Sequence, residues 1–153
     1  MSRGSQRLAL ATYIRLMRAA NAARSHASRN LGDSGLTLTQ FAVLEALYHV
    51  GPLSLSEIAK KILTTGGNLT MVAGNLARDR FVERKKPPED ARVQILGLTP
   101  KGKALMDHTF PMHAAAMADF MRALEPIEQE QLGELCRKLS DKAKRGPARQ
   151  IKH

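Results

Sequence analysis

"FVERKKPPEDARVQIL", residues 81–96, decides which fold the rest of the chain must build. Its flanks "FVERK" and "RVQIL" are strand-like. Between them, "KPPEDA" carries two prolines and an acidic pair that forbid helix and favour a turn. The pattern predicts a β-hairpin, and Arg84, Lys85, Lys86 and Arg92 make it strongly basic.

Working back from the hairpin, "TTGGNLTMVAGNL" at 64–76 places Leu69, Val72, Ala73 and Leu76 at i, i+3, i+4 and i+7, a helical repeat. Its glycines are not a phosphate loop, because Asn68-Leu69 follows them where Lys-Ser/Thr is needed, and no strand precedes them. Two capping boxes announce the helices before it. Thr37 with Gln40 opens "TLTQFAVLEAL", whose apolar face is Phe41, Leu44, Leu47 and Tyr48. Ser54 with Glu57 opens a short helix, with Leu53 and Ile58 placed for a hydrophobic staple. Three closely spaced helices followed by a hairpin predict a winged helix-turn-helix. The fold class is mainly α with a small β-hairpin wing (α+β).

Further helices lie outside that module. One runs from Arg7 to about Asn30 with Tyr13, Ile14, Met17 and Ala20 in a stripe, and "LGDSG" stops it. Thr99 caps another, with Pro100 at its first position, through roughly Leu124 with a kink possible at Pro111. Pro126 starts the last, through Leu132, Leu135 and Leu139. These helices must bury their apolar faces elsewhere, and dimerisation through Tyr13, Ile14, Met17, Leu132, Leu135 and Leu139 would supply the two-fold symmetry a palindromic site requires. The expected organisation is a dimerisation helix (1–35), a DNA-binding lobe (36–99), C-terminal dimerisation helices (100–145) and a basic tail (146–153).

The charge agrees with this. Across 153 residues, 24 Lys+Arg against 14 Asp+Glu leave a formal charge of +10, which points to an acidic partner such as nucleic acid. Residues 1–30 hold six arginines and no acid. The single cysteine, Cys136, excludes an intramolecular disulfide and a cysteine-cluster zinc site; set among leucines, it is expected to be a buried, inert thiol in a reducing compartment. No apolar run is long enough to span a bilayer, so the expectation is a cytoplasmic protein.

With its apolar stripe inward, the 64–76 helix turns Gly67, Met71, Gly74 and Arg78 outward, flanked by Asn68, Thr70 and Asn75. A glycine inside a helix costs about 1 kcal/mol relative to Ala, so Gly74 suggests close approach, with a DNA backbone or base edge as one candidate. Asn suits adenine, Thr can donate or accept, and Met can touch a thymine methyl. The competing reading is a merely solvent-facing polar stripe. The basic hairpin tips the balance toward DNA, with Arg92 suited to a narrow minor groove and the nearby acids, Glu89 and Asp90 among them, able to orient it.

These residues together resemble the multiple-antibiotic-resistance regulator (MarR) family of bacterial winged-helix transcription factors. The resemblance rests on "LTLTQFAVLEAL", "LSEIAKKI", "GGNLTMVAGNL" and the wing signature Asp90-x-Arg92 followed by Leu98-Thr99-Pro100-Lys101-Gly102, and spans roughly residues 8 to 145. The "TGGNLT…NL" form is similar to the branch that responds to quinones and phenols. The resemblance implies an obligate homodimer interlocked through its first, fifth and sixth helices. It places a helix from about Thr65, with Gly67, Asn68, Thr70, Met71, Asn75 and Arg78, in the major groove of double-stranded DNA, and the wing of Arg84, Lys85, Lys86, Asp90 and Arg92 beside it. It further implies repression relieved by a small aromatic ligand, held between the dimerisation helices and the DNA-binding lobe. Ala91, Gly74 and Arg80 depart from the family, which commonly has Arg, Asp and Gly at those positions.

Other functions have less support. No set of nucleophile, base and orienting group is legible, and no catalytic residue or cofactor is expected. Asp107, His108 and His113 raise a metal-responsive regulator, but the i, i+5 spacing of the histidines does not put both on one helix face. A winged-helix protein-interaction module with only nonspecific DNA affinity is the alternative from another class. The Arg92 wing and the polar helix face argue against it.

Overall fold

The computed structural model describes residues 2–62, 68–85, 89–90 and 92–144. Thr65, Gly67, Lys86, Ala91 and the 146–153 tail lie outside the described residues. The elements run α1 (Arg3–Asn30), a 3-10 turn (Gly32–Ser34), α2 (Leu38–Val50), β1 (Leu53–Ser54), α3 (Leu55–Lys61), α4 (Leu69–Arg78), β2 (Val82–Lys85), β3 (Ile95–Leu98), α5 (Pro100–Met121) and α6 (Pro126–Lys144). The chain divides into two compact units, 1–117 and 118–153.

Both capping boxes form in full. Thr37 Oγ1 accepts the Gln40 N–H while Gln40 Oε1 accepts that of Thr37, and Ser54 and Glu57 exchange the same pair of bonds. With the helix starts fixed this way, Phe41, Val43, Leu44 and Leu47 of α2 meet Ile58 of α3, Ala73 and Leu76 of α4, and Val82 and Leu96 of the wing in one buried core. Full burial of such side chains contributes about 1.5–3 kcal/mol each. From the first unit's long helices, Met106 of α5 joins this core, and Ala27 of α1 is buried.

Three boundaries differ from the sequence expectation. The first helix begins at Arg3, capped by Ser2. The reading helix begins at Leu69 rather than about Thr65, because Asn68 is extended and spends its side chain as the N-cap. The wing's returning strand is "ILGL" rather than "RVQIL": the N–H groups of Arg92 and Val93 turn back onto Asp90, so pairing starts only at Ile95. Opposite β2 the register is Val82↔Leu98 to Lys85↔Ile95. Leu53 and Ser54, expected only as a staple and a cap, also pair with Leu96 and Ile95, giving a three-stranded sheet in the order β1-β3-β2.

In the second unit, Gln129 Nε2 donates to the carbonyls of Met121 and Leu124, closing the turn between the end of α5 and α6. None of the described residues of α6 is buried. Cys136, expected to be buried, is only half-buried there, since no core encloses its helix. No helix among the described residues is long and apolar enough to cross a membrane.

Candidate nucleic-acid interface

On α4 the helical repeat sorts side chains as the sequence implied. Ala73 and Leu76 are buried, whereas Thr70, Met71 and Arg78 are exposed and Asn75 is half-exposed. Asn68 Oδ1 accepts from the N–H groups of Thr70 at 3.0 Å and Met71 at 3.3 Å. Its acceptor is therefore committed to the helix, and only its amide NH2 remains for an outside partner. The signal was present in the sequence, as Asn immediately before an apolar helical repeat is a helix start.

The C-terminus of α4 is a Schellman turn, with Phe81 N–H on Leu76 O and Arg80 N–H on Ala77 O. Arg80 occupies the left-handed position at φ 64°, where glycine is usual. Holding a non-glycine residue there costs roughly 1 kcal/mol, which neighbouring bonds offset. Thr99 Oγ1 donates to Arg80 O at 2.6 Å, Thr99 N–H to Phe81 O at 3.1 Å, and Lys101 Nζ to Asp79 O at 2.9 Å, with Lys101 also over the Phe81 ring. The Thr-Pro-Lys-Gly stretch is thus a brace that fixes α4 and the root of the wing to the first turn of α5.

The wing separates residues that looked alike in sequence. Strand alternation puts Arg84 on the face of buried Val82, and Glu83 and Lys85 on the other. There Glu83 and Lys85 line a shallow groove with Pro52 and Gly97. Arg84 reaches α4 instead: a Cβ at Gly74 would stand 3.2 Å from its Nη2. The close approach inferred for Gly74 is therefore made by this chain's own arginine. Arg92, with its side chain 92% exposed, is held by Asp90, whose Oδ1 accepts both its Nε–H at 3.2 Å and its backbone N–H at 3.0 Å. So open a pair adds little stability; it orients the guanidinium.

A cavity of about 430 Å³ opens elsewhere in the first unit, lined by Ala23, Arg24 and Ala27 of α1, Phe41, Glu45 and His49 of α2, Lys61 and Ile62 at the end of α3, and His113 and Met117 of α5. His113 packs against Phe41 with ring centroids 4.5 Å apart and the rings tilted by 47°, and its buried Nδ1 has no hydrogen-bond partner among the described residues. His108 lines a different, smaller cavity, and both oxygens of Asp107 are taken by Tyr48 and Lys103. The three candidate metal ligands are thus not brought together.

Burial pushes the His113 pKa below its usual value, with Glu45 pulling weakly the other way. The neutral ring is what folds, so its contribution is complete above the unfolded pKa of about 6.5 and is lost as pH falls from there toward the lower folded value. Thermal midpoints are expected to drop between pH 7.5 and 5.5, and to drop less steeply in His113→Phe, which keeps an aromatic ring against Phe41. Equal slopes for the two proteins would show that His113 does not titrate this way.

A helix-turn-helix braced to a three-stranded wing, with a polar helix face and basic residues around it, defines a winged-helix DNA-binding protein. Residues 34–93 match the MarR family. The transcriptional regulator MhqR of Bacillus subtilis is 36% identical over 135 residues, spanning 88% of this chain and 93% of its own. Among solved structures, Sco3205, a MarR family regulator from Streptomyces coelicolor in complex with DNA, superposes with a TM-score of 0.80 at 27% identity, covering 98% of this chain and 96% of its own. Bordetella bronchiseptica BpsR, whose DNA binding is regulated by 6-hydroxynicotinic acid, gives 0.76 at 28% identity over 84% and 98%. The chain belongs to the MarR family of DNA-binding transcriptional regulators.

Proposed function

We propose that the chain is a homodimeric repressor that reads a pseudo-palindromic operator and releases it when a small aromatic ligand binds. The observation that carries this reading is the two-sided α4, buried at Ala73 and Leu76 and polar at Asn68, Thr70, Asn75 and Arg78, beside a wing whose Arg92 is exposed to solvent and oriented by Asp90. In this reading α4 enters the major groove and Arg92 the minor groove, with Asp90 fixing its direction. Lys85 and the arginines of α1 supply a salt-dependent phosphate contribution. Thr65, Gly67 and Lys86 are assigned to the same surface from the sequence.

Fluorescence anisotropy tests it on DNA from the region upstream of the gene, beside a scrambled duplex, across a salt series. Preference for the upstream duplex at physiological salt is expected; equal binding to both duplexes would reduce the +10 charge to nonspecific attraction. Arg92→Ala is expected to weaken binding by roughly tenfold, at the lower end of what a specific contact contributes. Unchanged affinity would remove Arg92 from the groove.

The ligand belongs in the 430 Å³ cavity, a volume suited to one small molecule. Phe41, Ile62 and Met117 offer apolar walls, Arg24 and Lys61 offer positive charge, and His113 Nδ1 offers an unspent hydrogen-bonding atom. Regulation of the relative BpsR by a hydroxylated aromatic acid favours the same class here. Titrating phenols, quinones and hydroxylated aromatic acids into the DNA complex should identify a compound that lowers affinity, with His113→Phe blunting the response. The ligand acts by favouring a form in which the two reading helices no longer match the operator.

A further inference from the structure

We infer that Arg84 is a base-reading residue of the recognition surface, delivered by the wing strand and seated on α4 by Gly74, and not one more phosphate contact. The inference rests on the reading of α4 as the major-groove helix and gives that surface a residue from outside the helix. Alternation along β2 sends Arg84 to the α4 side of the sheet, away from Lys85. There its Nη2 occupies the space above Gly74, 3.2 Å from where a side chain would begin.

Gly74 lies three residues after Met71 and four before Arg78, so all three share the outward stripe of α4. The guanidinium therefore sits midway along the exposed face, where a helix in the major groove meets base edges; phosphates are met at the groove rims. Among the described residues no carboxylate pairs with Arg84, which leaves its donors unspent. A planar fork held there matches the O6 and N7 acceptors of guanine. Lysine cannot reproduce that geometry, although it carries the same charge. Glycine is among the least favourable residues in a helix interior, and room for Arg84 accounts for its presence.

Selection from a randomised duplex pool tests the inference, using the full chain as wild type, Arg84→Lys, Arg84→Ala, Gly74→Gln and the Arg84→Ala/Gly74→Gln double variant. The wild type is expected to select a half-site with a guanine that Arg84→Lys and Gly74→Gln no longer prefer, discrimination there falling about tenfold while the other positions persist. Gln is the better helix former, so the melting midpoint of Gly74→Gln should equal or exceed that of wild type, separating lost reading from lost folding. Once Arg84 is Ala, Gly74→Gln should cost nothing further. A guanine preference that survives Arg84→Lys would overturn base reading alone. An undiminished penalty for Gly74→Gln in the Arg84→Ala background would overturn the seat and assign that space to DNA. A wild type that selects no sequence would overturn the inference together with the reading of α4 beneath it.

Discussion

Replacing Gly102 by Ala should destabilise the chain by about 3 kcal/mol or more, beyond the usual range for overpacking, and lower its melting midpoint by roughly 10 °C. The reason is backbone against backbone. A methyl group at Gly102 would collide with the Phe81 carbonyl oxygen, and would stand 3.0 Å from its carbon and 3.2 Å from Leu98 Cδ2. Phe81 cannot step aside cheaply, because its carbonyl accepts the Thr99 N–H and its own N–H closes the turn on Leu76. Moving it also strains the Thr99–Arg80 bond that holds Arg80 in the left-handed region. Operator affinity should fall more than stability alone dictates, since the displaced atoms join α4 to the wing. Gly133→Ala is the contrasting case: its Cβ would meet nothing within 4 Å, it lies off the Leu132, Leu135 and Leu139 stripe, and it should leave the midpoint unchanged or raise it. A Gly102→Ala protein that melts with wild type would show that the brace yields.

What the sequence disclosed and what it withheld divide along a physical line. Local, periodic signals were legible: the capping boxes at Thr37 and Ser54 and the inward stripe of α4. Each is written within a few neighbouring residues. The wing signature was legible as a resemblance, but the work of its Thr99, Lys101 and Gly102 was not, because their partners at Asp79, Arg80 and Phe81 are fixed only by the fold. For the same reason Gly74 pointed to close approach without naming Arg84, although period-two alternation in "VERK" already separated Arg84 from Lys85. The pairing of Leu53 and Ser54 with β3 was hidden by the stronger helix-start signal at the same residues. The cavity was the least legible feature, since its lining comes from four helices spread between Ala23 and Met117.

Leu135→Glu should convert the proposed dimer into monomers and cost at least a hundredfold in operator affinity. In α6, a helix of 19 residues, none of the described residues is buried. Leu132, Leu135 and Leu139, at i, i+3 and i+7, are 39%, 60% and 54% exposed, and Ile127 is exposed with them. An amphipathic helix gains most of its stability from packing of its apolar face, and one left this open needs a partner surface. In α1, Leu10, Tyr13, Ile14 and Met17 form a second such stripe. In the proposed homodimer a second copy of the chain covers these stripes, each residue then counting twice. Removing two buried leucines at about 2 kcal/mol each weakens association on the order of a thousandfold, before the cost of burying carboxylates. Sedimentation velocity should show the monomer, and anisotropy should show the operator bound no better than scrambled duplex, while salt-sensitive attraction to both persists because the basic residues are untouched. Leu135→Ala should fall between. A monomeric Leu135→Glu protein that still holds the operator at wild-type affinity would mean that one recognition helix and one wing suffice, and the two-fold operator would have to be given up.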